Sequence, residues 1–197
     1  GRKQLDTVAR KQELFEGYTI HLLQELLPKN SQLVVANSMS IRDMDYFWPG
    51  NRHSAIIYGN RGVNGIDGTV STALGIATNG MPTVLLTGDL TFFHDLNGLA
   101  VAKTHPLNVT IIVHNNDGGG IFEYLFSTAQ GLNYSGLATL YDIDFVRVSS
   151  NDELKNALQN YVGTAGVHVI EIPTSKERSR ELHALYTTIP KNKEDRL

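Results

Sequence analysis

Four short loops gather the residues able to do chemistry. Gly88-Asp89 follows the apolar run Thr83–Thr87, and Asn115-Asn116-Asp117-Gly118-Gly119-Gly120 follows Val109–His114. Asn116 lies 27 residues after Asp89, which leaves room for one helix and the next strand. A carboxylate and an amide oxygen brought together with a backbone carbonyl make a hard oxygen site of the kind Mg²⁺ takes, with positions left for phosphate oxygens. The glycines let backbone N–H groups approach a phosphate closely, and the positive end of a following helix can face the same anion. Taken alone, Gly88-Asp89 reads as a strand-end cap and turn. It is the second loop, at the right separation, that makes the pair informative. The other two loops, 37–42 and 59–68, are rich in Gly, Asn, Asp and Arg.

These loops need regular elements to hold them in place. Short apolar runs at 32–36, 55–58, 83–87, 109–114, 145–148 and 167–172 are mostly continuous and β-branched, as in strands buried on both faces of a parallel sheet. Helical patterns lie between them at 41–47, 69–78, 96–103 and 152–161, the last preceded by Ser150-Asn151 as N-cap chemistry. An amphipathic helix is expected over 6–27, ended by Pro28. This alternation predicts an α/β fold: a doubly wound, mostly parallel sheet with helices on both faces. Residues 1–197 read as one domain, with 176–197 a peripheral charged tail. In such sheets ligands sit beyond the carboxyl ends of the strands, which is where all four loops fall.

Composition narrows the class. The 197 residues are 41% hydrophobic with a net charge of −3, and acidic and basic groups are mixed along the chain, which disfavours a nucleic-acid surface. Zero cysteines exclude a disulfide framework and a thiolate metal site, and fit a cytoplasmic location. No apolar run is long enough for a membrane span, and no signal peptide is visible. The first residue is Gly1 rather than Met, as expected either of a cloning remnant or of a piece of a longer chain.

The Gly-Asp and Asn-Asn loops resemble the two-part motif of the thiamine-diphosphate enzymes. Asn37-Ser38-x-x-x-Arg42, Asn60-Arg61-Gly-x-x-Gly-Ile66-Asp-Gly68, Gly88-Asp89-Leu90 and Asn115-Asn116-x-Gly118-Gly119-x-Ile121-Phe122 occur in that order, and in this detail the chain is similar to the 2-succinyl-5-enolpyruvyl-6-hydroxy-3-cyclohexene-1-carboxylate synthase family of menaquinone biosynthesis. Leu90, where many thiamine-diphosphate enzymes have a third glycine, favours that family over a generic decarboxylase. The likeness is strong over about residues 30–125 and weak elsewhere. It implies thiamine diphosphate and Mg²⁺ (or Mn²⁺) as cofactors. Asp89 and Asn116 would ligate the metal through side chains and Gly118 through its carbonyl. Gly88, Leu90, Gly119 and Ile121 would line the cofactor, Phe122 would pack near its thiazolium, and Ile66 would brace its bent form. The implied substrates, 2-oxoglutarate and isochorismate, are dicarboxylates, and the planar forks of Arg42 and Arg61 suit them, with Asn37 and Ser38 adding hydrogen bonds.

The reaction implied is decarboxylation of 2-oxoglutarate and addition of the resulting carbanion equivalent to isochorismate. The glutamate that activates the cofactor belongs, in that family, to a pyrimidine-binding domain reached across a dimer interface. No motif for it is present here, so the chain resembles the diphosphate-binding domain alone and is expected to be inactive by itself, acting within a homo-oligomer. A different 2-oxo-acid decarboxylase or synthase of the same cofactor, or a non-catalytic cofactor-binding module, stays open on these residues. Gly59-x-x-Gly62-x-x-Gly65 lacks dinucleotide-loop spacing, and neither H-E-x-x-H nor G-x-S-x-G occurs. His94-Asp95 reads as capping and polar packing; His53, His105 and His114 read as structural or surface groups.

Overall fold

Six parallel strands in the order β2-β1-β3-β4-β6-β5 carry the chain in the computed structural model, which describes residues 13–48, 50, 54–118 and 131–187. They are β1 (Gln32–Val35), β2 (Ile56–Gly59), β3 (Thr83–Gly88), β4 (Asn108–Asn115), β5 (Asp144–Arg147) and β6 (Gly166–Pro173). Each lies within a residue or two of its expected run. Helices α1 (Glu16–Leu26), α2 (Met39–Phe47), α3 (Thr69–Ala77), α4 (Asp89–His94), α5 (Gly136–Tyr141), α6 (Asn151–Tyr161) and α7 (Lys176–Thr187) surround the sheet. One apolar layer joins α1, α2, α6 and α7 through Ile20, Leu23, Phe47, Leu154, Leu158 and Leu182. The other face is covered by α3, α4 and α5. The sheet is therefore doubly wound and, in place of mostly parallel, entirely parallel.

The central strands repeat buried residues without alternation, because apolar layers press on both sides. β2 departs from this expectation: as an edge strand it leaves Ile56 and Ile57 46% and 42% exposed. Residues 96–103 also depart, forming a 3₁₀ segment in place of an α-helix. It follows directly on α4, and Asp95 at the junction spends its carboxylate on α3, accepting from the Ser71 amide at 2.7 Å and the Ser71 hydroxyl at 3.0 Å. Ser150 caps α6 by accepting from the Glu153 amide. The expected first helix begins at Glu16 among the described residues, and Gly17 in it has a packing reason. A Cβ there would stand 2.6 Å from the Phe15 ring and 3.0 Å from Phe47, so only glycine allows α1 and α2 to approach this closely. Among the described residues no helix is long and apolar enough to cross a membrane.

The helix after β1 goes to one face and the helices after β2 and β3 go to the other. Neighbours β1 and β3 thus send their connections apart and open a crevice at their carboxyl ends. That divergence places the site.

Candidate functional site

Two hydrogen-bonded groups of residues line this carboxyl edge. The first joins the loops after β1 and β2. Asn37 is 2% exposed, and its Nδ2 donates to the carbonyls of Asn60 and Gly65 at 2.6 Å each. Its Oδ1 accepts from Arg61 Nη1 at 3.2 Å. The amide of Asn37 is thereby fully engaged in bracing the Arg61 loop, while the Arg61 side chain lies across Gly59 and is exposed to solvent. Ser38 has φ 68 and ψ −128, a conformation that costs a non-glycine residue on the order of 1–3 kcal/mol. One turn further on, Arg42 donates from Nη1 to the Ser38 carbonyl at 2.6 Å and is otherwise solvent-exposed. Ile66 is half-buried in the same loop, just before α3.

The second group joins the loops after β3 and β4. Register pairs Gly88 with His114, so Asp89 and Asn115 leave adjacent strands side by side. Asp89 is 7% exposed; its Oδ1 accepts from the Leu90 amide at 2.8 Å and its Oδ2 from the Gly118 amide at 2.7 Å. Asp117 at φ 58 and Gly118 at φ 138 turn the chain back toward Asp89, the second in a region that favours glycine. Burial pushes the Asp89 carboxyl above its ordinary range, the two backbone donors pull it down, Asp117 raises it and Lys176 lowers it. Two residues before Gly118 in the same loop, the Oδ1 of Asn116 is buried with no hydrogen-bond partner among the described residues. An unpartnered buried acceptor in the loop that meets a buried carboxylate is unfavourable in a bare protein and is what a hard cation would satisfy. Among the described residues no three His, Cys, Asp or Glu side chains converge as a metal cluster. A cation here would rest on one carboxylate and neutral oxygens, leaving positions for phosphate, which suits Mg²⁺.

Gly119, Ile121 and Phe122 lie outside the described residues, as does His53. His114 is buried against the Thr19 hydroxyl at 3.0 Å, and burial lowers its pKa, so it packs as a neutral ring. His105 meets the adjacent Thr104 hydroxyl.

Three residues at this edge escape a motif-based reading. The Tyr134 hydroxyl donates to the Asp89 carbonyl at 3.2 Å, and burial together with the charges of Asp89, Glu171 and Asp117 pushes its pKa well up, so it stays a donor. Glu171 is 0% exposed and accepts from Asn115 Nδ2 at 2.7 Å. Arg147 lies 3.3 Å from the same oxygen. Glu171 carried a legible signal, a lone carboxylate inside the apolar run 167–172; Tyr134 and Arg147 carried none.

A family model described as thiamine pyrophosphate enzyme, C-terminal TPP binding domain, matches residues 38–172. The chain is 50% identical over 198 residues to a 2-succinyl-5-enolpyruvyl-6-hydroxy-3-cyclohexene-1-carboxylate synthase of Lactococcus lactis subsp. cremoris, covering 94% of this chain and 36% of that protein. A protein of the same name from Desulfitobacterium hafniense is 47% identical over 199 residues, with 95% and 36% covered. The chain thus spans about a third of the length of these relatives. Among solved structures, a putative thiamin diphosphate-dependent enzyme from Mycobacterium smegmatis superposes with TM-score 0.72 at 22% identity, covering 82% of this chain and 32% of that one, a likeness of fold.

Proposed function

This chain belongs to the thiamine pyrophosphate enzyme family as its C-terminal TPP binding domain, and from that premise we propose that it forms the diphosphate- and Mg²⁺-binding part of a 2-succinyl-5-enolpyruvyl-6-hydroxy-3-cyclohexene-1-carboxylate synthase. The observation that carries the proposal is the joining of Asp89 to the Gly118 loop across β3 and β4, with the Asn116 oxygen of that loop buried and unpartnered among the described residues. The names of the similar proteins support a synthase of that product; the reaction proposed is the one the sequence resemblance implies, decarboxylation of 2-oxoglutarate and transfer of the resulting fragment to isochorismate. Every described strand belongs to one sheet, which supports reading residues 1–197 as one domain.

Thiamine diphosphate, when bound, supplies the carbon nucleophile and the electron sink for this chemistry. The residues of the chain do the rest. Asp89, Asn116 and the Gly118 carbonyl would hold Mg²⁺, or Mn²⁺ in its place, and Gly88, Leu90, Gly119 and Ile121 would line the diphosphate. Ile66 and Phe122 would supply apolar packing for the cofactor's rings, a β-branched side chain such as Ile66 being stiff enough to brace them. Arg42 and Arg61, exposed at the edge of the crevice, orient substrate carboxylates. Ser38 lies within the same loop, held in a strained conformation at the start of α2. The charges of Asp89, Glu171 and Asp117 all act on Tyr134, which supports an acidic setting for this end of β3, β4 and β6. The acid that activates the aminopyrimidine then comes from a pyrimidine-binding domain outside this chain, across a dimer interface, and the isolated chain does not turn over.

Calorimetry tests the cation claim. Titrating the chain with thiamine diphosphate should give heat that depends on Mg²⁺, and Asp89→Ala should abolish it. Heat that is indifferent to Mg²⁺, or to Asp89→Ala, would remove the metal assignment.

A further inference from the structure

Glu171 is a carboxylate where the packing calls for an apolar side chain. β6 reads Val167-His168-Val169-Ile170-Glu171-Ile172, and its period of two puts Glu171 on the side of Val167 and Val169, which belong to the apolar layer containing Val109, Ile111 and Val113 of β4. Its exposure is 0%, and one of its two oxygens, Oε2, has no hydrogen-bond partner among the described residues. Burying a carboxylate so incompletely satisfied is destabilising, and an apolar residue of similar volume would pack there at no such cost. Stability alone therefore gives no account of it.

Its one close bond leads to the candidate cation site. Oε1 accepts from Asn115 Nδ2 at 2.7 Å, and Arg147 approaches that oxygen from β5 at 3.3 Å. The other end of the same side-chain amide, Asn115 Oδ1, accepts from the Asp117 amide at 3.0 Å. Asn115 thus spans from the fully buried Glu171 to the backbone of Asp117, whose φ of 58 is unfavourable for a non-glycine residue and needs holding. The next residue is Gly118, whose N–H meets Asp89 at 2.7 Å, and within this turn Asn116 carries a buried oxygen with no partner among the described residues. An unbroken series of bonds runs from the floor of the sheet to the loop that faces Asp89.

We propose that Glu171 is a positioning residue: by anchoring Asn115 it fixes the turn 115–118 so that the Asn116 and Gly118 oxygens present to a divalent cation. This rests on the reading of Asp89, Asn116 and Gly118 as cation ligands. Carboxylates that orient ligand-bearing groups from behind typically change metal affinity about 10–100-fold when removed. The tether needs an acceptor oxygen on Glu171 and does not need its charge.

Two readouts on the chain test this with Glu171→Gln, Glu171→Leu, Asn115→Ala and Asp89→Ala. The first is hydrogen-exchange protection of the Gly118 amide, measured by NMR without metal. The second is Mn²⁺ affinity with thiamine diphosphate present, measured by electron paramagnetic resonance. Glu171→Leu and Asn115→Ala should each lower Gly118 protection and weaken Mn²⁺ binding by about tenfold or more. Glu171→Gln, which retains the acceptor, should stay within about threefold of wild type on both. An unchanged melting temperature in Glu171→Leu separates loss of positioning from loss of fold, and Asn115→Ala gives the same test if the leucine variant does not fold. Gly118 protection untouched in both Glu171→Leu and Asn115→Ala overturns the tether, as does a Glu171→Gln variant as impaired as Glu171→Leu. Mn²⁺ affinity untouched in Asp89→Ala, or absent in the wild-type chain, instead overturns the cation reading beneath it.

Discussion

Asn37 illustrates how a residue's neighbours assign its work. By type and place it suits hydrogen bonding to a substrate, yet its side-chain amide is buried and committed to Asn60, Gly65 and Arg61. Its effect on any ligand runs through the loop that carries Arg61 and Ile66. Asn37→Ala removes two donors and one acceptor at once and should destabilise the chain by about 2 kcal/mol, measured by denaturant unfolding. Asn37→Asp keeps an oxygen for Arg61 but turns the other toward two carbonyls, so it should be at least as damaging. A destabilisation below about 0.5 kcal/mol in both would show that the brace is not what holds the loop. Asp89, Asn116, Arg42 and Arg61 could be picked out as candidates because strand-end position and residue type together restrict their chemistry. Tyr134 was not: it follows a long glycine-bearing connection, and nothing local says that its hydroxyl returns to the Asp89 carbonyl.

At the scale of elements, the charged tail from Lys176 forms α7, which docks through Leu182 and through a contact absent from any sequence pattern. His183 Nε2 meets Asp43 Oδ1 of α2 at 2.6 Å while its Nδ1 meets the Ser179 carbonyl at 2.7 Å, against the Phe15 and Phe47 rings. Burial works to lower the His183 pKa, but the hydrogen bond and charge of Asp43, the Ser179 carbonyl and Glu16 raise it on balance. Burial raises that of Asp43, against the pull of His183 and Arg42. The pair therefore holds a proton that the unfolded chain releases. A raised His183 contributes stability that is full below the unfolded value of 6.5 and is lost as pH rises through the folded value; a raised Asp43 changes stability in the same sense at lower pH. Buried His114 opposes this, since its lowered pKa removes stability as pH falls below 6.5. The comparison that isolates the pair is wild type against Asp43→Asn. The stability advantage of wild type should shrink as pH rises from about 6 to about 8, as read by melting temperature. An advantage that grows over this interval would show that the pair is not the proton-holding contact.

For the whole molecule, stability is centred where the site is not. β3, β4 and β6 lie between two apolar layers, and the site occupies only their carboxyl ends. Ile111, fully buried in mid-strand, should cost about 2–5 kcal/mol when replaced by alanine. Ile57 on the edge strand is 42% exposed and should cost less than about 1 kcal/mol. Equal losses in the two variants, by denaturant titration, would contradict this gradient. Cofactor-binding defects from central substitutions would then be unfolding in disguise, whereas those from Asp89 or Asn116 would not.

The sequence by itself determined the strand runs, the parallel doubly wound class and the loops that carry the Gly-Asp and Asn-Asn pair. Those depend on periodicity, chain direction and residue type, all local along the chain. Tertiary structure decided what depends on encounters between distant segments. It left β2 as an exposed edge, gave 96–103 its 3₁₀ form and engaged Asn37 entirely with its neighbours. It also set Glu171, 56 residues from Asn115 in sequence, beneath the loop that faces Asp89. No pattern within a single segment encodes such a contact, because it exists only once β4 and β6 pair.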